Sequence, residues 1–203
     1  YSGHLDLIHE RDSPIEFAEV ASMSMELLSH SEWGQFYNKE DSIRAKKKHL
    51  EGIIEFMPWM ATIDSFQHWI YKNPNHTREE RKNKWLEITN KFGSKYDYSD
   101  ISEEGDNMES ILETSWQLQG HLFGAPFYYV EYGIAQLGAL QLWNYHKEDS
   151  LKALDLYKNG LSLGYTKGLR ELFAATGIEM SFKKDHVTNL INEVHKSILD
   201  IEV

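Results

Sequence analysis

The chain has 203 residues, 41% of them hydrophobic, enough to bury a core as one domain or a large part of one. Lys and Arg number 21 against 32 Asp and Glu, and the formal net charge of −11 repels phosphate backbones and argues against nucleic acid as the main partner. Cysteine is absent, which removes disulfides, thiol nucleophiles and thiolate metal sites; the usage fits a reducing compartment, and a cytoplasmic location is expected.

No apolar run approaches the ~20 residues needed to cross a bilayer. Residues 1–20 lack the basic start and apolar centre of a signal peptide. The first residue is Tyr1 rather than Met, so a processed or shortened chain is expected.

Along the chain the apolar spacing is helical. In EFAEVASMSMELL, Phe17, Val20, Ala21, Ser24 and Leu28 fall on one stripe, predicting a helix over 16–28 with Pro14 in its first turn and Ser13 as N-cap. A second helix is predicted over about 42–71, kinked at Pro58, because proline removes a backbone donor and crowds the preceding turn. The basic run Arg44 to Lys48 (RAKKK) reads most simply as a solvated face of that helix.

Asn73-Pro74-Asn75 breaks the pattern, and Thr77 with Glu80 forms a capping box for a helix through Phe92. Residues 93–107 are polar and irregular and read as a loop. Further helices are predicted over 108–119, after the Gly124-Ala125-Pro126 break, and over 150–163 and 166–175. A last helix led by Asp185 places Val187, Leu190, Ile191, Val194 and Ile198 on one face. No segment alternates with period two, so the expected fold class is all-α. A helical repeat is only faintly suggested, with no second copy at a fixed period.

Several residues could carry chemistry. Glu16, Glu19 and Glu26 lie on the first predicted helix, Glu19 beside the apolar stripe, where an ionised carboxylate requires a cation or strong donors. Taken alone, Glu19 is most simply a boundary residue that reaches solvent or an arginine. The ten histidines show no H-E-x-x-H spacing; His9-Glu10 begins one, but Ser13 stands where the second histidine belongs. Spacing alone therefore yields no complete zinc site.

In HLFGAPFYYVEYGIAQLGALQLW (121–143), Tyr129 and Tyr132 are three apart on one helical face, and Tyr128 points elsewhere. His121 lies across a flexible join made by Gly120, Gly124 and Pro126. An imidazole and two phenols at such a break could donate to a developing oxyanion. On local evidence alone, buried tyrosine rings and a turn-capping histidine explain the segment more simply.

FAEVASMSMELL (17–28), FMPWMATIDSFQHWIY (56–71), the 121–143 stretch and SLKALDLYKNGLSLGYTKGLRELFAATGI (150–178) together change that weighting. In this order they resemble the C-terminal part of the oligoendopeptidase F and thimet oligopeptidase family of zinc metallopeptidases, over nearly the whole chain. The resemblance implies a largely helical fold around a deep channel and cleavage of oligopeptide substrates. It implies Glu19 as the third protein ligand to a catalytic Zn2+, and Glu26 as an acidic residue orienting a metal-bound imidazole. It implies His121 facing the substrate, and Tyr129 and Tyr132 near the scissile carbonyl, with Tyr128 a rival to Tyr129.

One departure is large. In that family H-E-x-x-H supplies two zinc ligands and the general-base glutamate, roughly twenty-five residues before the third ligand, and only 18 residues precede Glu19 here. The resemblance therefore implies that residues 1–203 are the C-terminal part of a peptidase catalytic domain, with its N-terminal part as a partner, and that this stretch alone is inactive. The alternative is a non-enzymatic helical interaction module derived from a peptidase fold.

Overall fold

The computed structural model describes residues 1–93 and 108–201, and every described element is helical. The α-helices run in chain order as α1 (Ile15–Leu28), α2 (Lys39–Lys72), α3 (Arg78–Phe92), α4 (Met108–Thr114), α5 (His121–Gly124), α6 (Tyr129–Glu148), α7 (Ser150–Ser162), α8 (Leu169–Ala175) and α9 (Lys184–Asp200). Short 3-10 turns precede α1, join it to α2 over Ser29–Gln35, and follow α4 over Ser115–Leu118. No described helix is long and apolar enough to cross a membrane. The predicted 93–107 loop lies outside the described residues apart from Gly93.

The observed boundaries differ from the predicted ones where local hydrogen bonding intervenes. Pro14, not Ser13, is the N-cap of α1: its extended ψ of 141° keeps it outside the helix, and its carbonyl accepts from the amides of Phe17 and Ala18. Thr77 caps α3 as expected, with both arms of the capping box formed, Glu80 N to Thr77 Oγ1 at 3.2 Å and Thr77 N to Glu80 Oε2 at 2.7 Å. α2 begins earlier than predicted and continues through Pro58, where the Thr62 hydroxyl donates to the Pro58 carbonyl at 2.9 Å.

The helix predicted over 108–119 tightens into 3-10 geometry at Ser115. There the Leu112 carbonyl accepts from Ser115 Oγ (2.9 Å) and from Trp85 Nε1 (2.9 Å), a side-chain competition that favours leaving the α-helix. The segment predicted over 166–175 is likewise split, with Gly168 extended at the N-cap of α8 and its amide donating to Glu171 Oε2 at 3.1 Å.

The chain divides into two compact units, residues 1–54 with 131–203, and residues 55–130. The first closes around Phe17, Val20, Ala135, Leu142, Tyr157, Leu172, Phe173 and Ile178. Fully burying each large side chain contributes about 1.5–3 kcal/mol. Gly138 and Gly160 permit the close approach: a Cβ at Gly138 would stand 3.0 Å from Val20, and one at Gly160 2.8 Å from Phe17. A part-buried amide clasp links α6 to the stretch before α9, Gln141 Nε2 donating to the Glu179 carbonyl (2.9 Å) and Glu179 N donating back to Gln141 Oε1 (2.8 Å).

The second unit closes around Ile63, Phe66, Trp85 and Ile88, with Trp59, Trp69, Trp116, Leu122 and Tyr129 packed against them. Trp85 is the centre. Its ring meets Phe66 edge-on at 5.0 Å and Trp59 at 6.0 Å, and its N–H is satisfied by Leu112 and Ser115. This is what a buried indole needs: apolar rings on its faces and an acceptor at its polar tip.

Candidate functional site

In the second unit the helical break predicted from Gly-Ala-Pro brings one histidine and two tyrosines together. α5 carries His121 and ends at Gly124; the Tyr128 amide then donates to the Ala125 carbonyl at 3.2 Å, and α6 starts at Tyr129. The Tyr128 ring stacks on His121 (centroids 5.8 Å, interplanar 19°), and Tyr129 meets the same imidazole edge-on (5.2 Å, 75°). His121 and Tyr129 line an open groove of about 390 Å³ with Leu118, Gln119, Gly120, Gly124 and Ala125. Tyr129 is held from behind by Phe56 at 5.9 Å and by the aromatic core.

Between Pro126 and Tyr128 the backbone is unusual. Phe127 has φ +63°, and it is the one described residue other than glycine with positive φ. For a bulky side chain this costs on the order of 1–3 kcal/mol, which surrounding contacts must offset.

The first unit holds the remaining predicted residues. Glu19 is half-buried on α1 and accepts from the Ser22 hydroxyl at 3.0 Å. Glu26, exposed two turns further along the same face of α1, lies 3.3 Å from His49 Nε2, and His49 Nδ1 is 2.7 Å from His30 Nε2. His30 is buried against Trp33 and Trp143, and burial, followed by the positive charges of His49 and Lys46, lowers its pKa to about 4.

Tyr132 is half-buried on α6 in this unit. Beside it in sequence, Glu131 is pushed up to about 7, first by burial and then by the negative charge of Glu16 and a hydrogen bond to it. As two ionised acceptors they leave Glu131 Oε2 sealed from solvent without a donor; a proton on Glu131 creates one.

Spacing alone reveals neither the Glu26–His49–His30 chain nor the Glu16–Glu131 pair. His30 and His49 are separated by a turn and part of α2, and Glu131 meets Glu16 only through the fold. The one local signal was a glutamate in the aromatic and apolar run YYVEYGIAQLGAL. Among the described residues no group of three or more His, Asp or Glu side chains converges to hold a metal ion. Glu19 offers one carboxylate ligand, and a zinc centre needs further ligands beside it.

The sequence profile of peptidase family M3 matches residues 2–190. The chain belongs to peptidase family M3. A solved structure assigned to oligoendopeptidase F is 30% identical with a TM-score of 0.86, over 97% of this chain and 34% of that one. Pz peptidase A, solved with an inhibitor, is 29% identical with a TM-score of 0.85 over the same shares. An oligoendopeptidase F structure from Bacillus anthracis is 26% identical with a TM-score of 0.77, over 99% of this chain and 31% of that one. No curated protein sequence matches. The M3 chain described here thus spans about a third of the length of those structures, and its helical fold is part of theirs.

Proposed function

We propose that residues 1–203 form part of a zinc-dependent oligopeptidase, supplying one metal ligand and the donors that face the substrate. The observation that carries the reading is the convergence of His121 and Tyr129 on one groove in a chain of the M3 family. Glu19 would hold the zinc together with two histidines of an H-E-x-x-H helix. Glu26 would orient one of those imidazoles. When bound, the metal would supply Lewis-acid polarisation and an activated water.

This chain's own contribution is binding and charge stabilisation. His121 and the hydroxyls of Tyr129 and Tyr132 would hydrogen-bond the peptide and the oxygen that gains charge as the carbonyl becomes tetrahedral. Such donors act before the reaction begins, because their dipoles are already oriented in a site from which peptide displaces water. Tyr128, stacked flat on His121, would fix the plane of the imidazole.

The test uses the full-length enzyme, a quenched oligopeptide and metal analysis. Tyr132→Phe should lower kcat by ~10²–10³, and Glu19→Gln should strip zinc. Full turnover in the tyrosine variant, or full zinc occupancy in Glu19→Gln, would remove that residue from the mechanism. Reading the residues encoded just before Tyr1 tests the whole assignment: without an H-E-x-x-H there, the interaction-module alternative takes its place.

A further inference from the structure

We propose that Phe127, held in its left-handed conformation by the rings of His68 and Tyr71, is a positioning residue that sets Tyr128 and Tyr129 against His121. The inference rests on the oligopeptidase reading above, in which that tyrosine–histidine cluster meets the substrate.

Three observations carry it. First, the turn that delivers both tyrosines passes through the strained residue. Pro126 fixes its own φ, Phe127 reverses sign to +63°, and Tyr128 and Tyr129 follow at once, Tyr129 as the first residue of α6. Returning Phe127 to an ordinary φ would rotate the peptide plane that aims Tyr128 and the start of α6.

Second, a glycine would take this conformation without steric cost, and here a phenylalanine stands in its place. A side chain that opposes the turn must be held by its contacts. The half-buried ring of Phe127 makes them with His68 (5.1 Å, 56°) and Tyr71 (4.9 Å, 51°).

Third, both partners stand on the helix that packs the second unit's core. His68 and Tyr71 are three apart on α2 and so share a face, and His68 Nε2 lies 3.6 Å from Asp64 Oδ2 one turn earlier. α2 also contributes Ile63 and Phe66 to the core and Phe56 to the back of Tyr129. The same helix therefore contacts both the turn and the tyrosine that the turn presents. None of Asp64, His68, Tyr71 or Phe127 lines the groove, so their effect on the reaction passes through the tyrosines.

The experiment compares Phe127→Gly, Phe127→Tyr, His68→Ala and Tyr129→Phe in the full-length enzyme with a quenched oligopeptide, alongside thermal melts. Phe127→Gly keeps the left-handed turn accessible and deletes the ring. It should lower kcat about 10-fold with KM within about twofold, since a displaced donor costs more in the transition state than in binding. Phe127→Tyr, which keeps the ring, should recover kcat to within about twofold. His68→Ala, an exposed site with little bearing on folding, should give a smaller loss in the same direction.

In the double variant, Phe127→Gly should add little to the loss already caused by Tyr129→Phe, as expected for residues that act as one unit. Wild-type kcat in both Phe127→Gly and His68→Ala, or full additivity in the double variant, would overturn the positioning role while leaving the oligopeptidase reading intact. Wild-type kinetics in Tyr129→Phe would overturn the reading of the tyrosine cluster itself, and this inference with it.

Discussion

The unit of residues 1–54 and 131–203 closes over Phe17, Leu142, Leu172 and Phe173, drawn from both ends of the chain, and brings ionisable groups together as it does so. Glu131 meets Glu16, and His30 meets His49. The unit of residues 55–130 closes locally, over Phe66, Trp85 and their aromatic neighbours, and the polar atom at its centre is a neutral indole N–H with two acceptors. Proton concentration should therefore tune the first unit's core, and ring shape should govern the second's. Of the residues proposed to meet peptide, His121 and Tyr129 sit on the ring-packed side, where position is set by contact rather than by charge, and Tyr132 belongs to the first unit.

Truncating the central ring should give the largest effect. Trp85→Ala removes a fully buried indole that touches Phe66 and Trp59, and leaves the Leu112 carbonyl and Ser115 hydroxyl without its N–H. The expected loss is about 3–5 kcal/mol in urea unfolding, a large fraction of the stability of an ordinary domain. Trp85→Phe should lose clearly less, because most of the ring volume stays. Equal losses for the two would mean that the hydrogen bonds, not the packing, hold the centre.

The next effect belongs to His30. Its pKa in the folded chain is lowered to about 4 from 6.5, so between those values the unfolded chain binds a proton that the folded chain refuses. The contribution of His30 should be full above about pH 6.5 and fall as the pH drops towards 4, by up to ~3 kcal/mol less what solvent screening removes. His30→Gln keeps a polar side chain that does not titrate. The variant should lose less stability than the parent between pH 7 and pH 4.5; identical losses would place the acid sensitivity elsewhere.

How far this contrast could be read from residue order alone follows from distance along the chain. The capping box of Thr77 and Glu80 is complete within four residues, and it formed as predicted. The apolar stripes of α1 and α9 are likewise local, and Leu190 and Val194 are buried as the spacing implied. Ser13 failed as a cap because the extended ψ of Pro14 moved the boundary by one residue, a backbone preference that composition does not decide. Ser115 ended α4 because a tryptophan thirty residues earlier competes for the Leu112 carbonyl.

The candidate site divides in the same way. The Gly-Ala-Pro break between His121 and the tyrosines is visible in the sequence, whereas the positive φ of Phe127 and its hold on His68 and Tyr71 exist only in the fold. Tyr128 and Tyr129 could not be separated by spacing; in the structure Tyr129 lines the groove with His121 while Tyr128 stacks on it.

The smallest expected effect has the opposite sign to that of His30 and sharpens the contrast most. Glu131 is raised to about 7 from 4.5, so its contribution is fully present below about pH 4.5 and is lost as the pH rises through 7, when two carboxylates face each other. Glutamine resembles the protonated acid and can donate to Glu16 at any pH. Glu131→Gln should thus leave stability unchanged near pH 4.5 and raise it near pH 8, by about 1 kcal/mol or less because, apart from the sealed Oε2, both side chains are only partly buried. In the parent chain the two groups oppose each other between about pH 4.5 and 6.5, so removing Glu131 should also steepen the acid dependence left to His30. A variant less stable than the parent at pH 8 would mean that the Glu131 carboxylate has a donor or cation that outweighs Glu16, and the pair would no longer be a charge conflict.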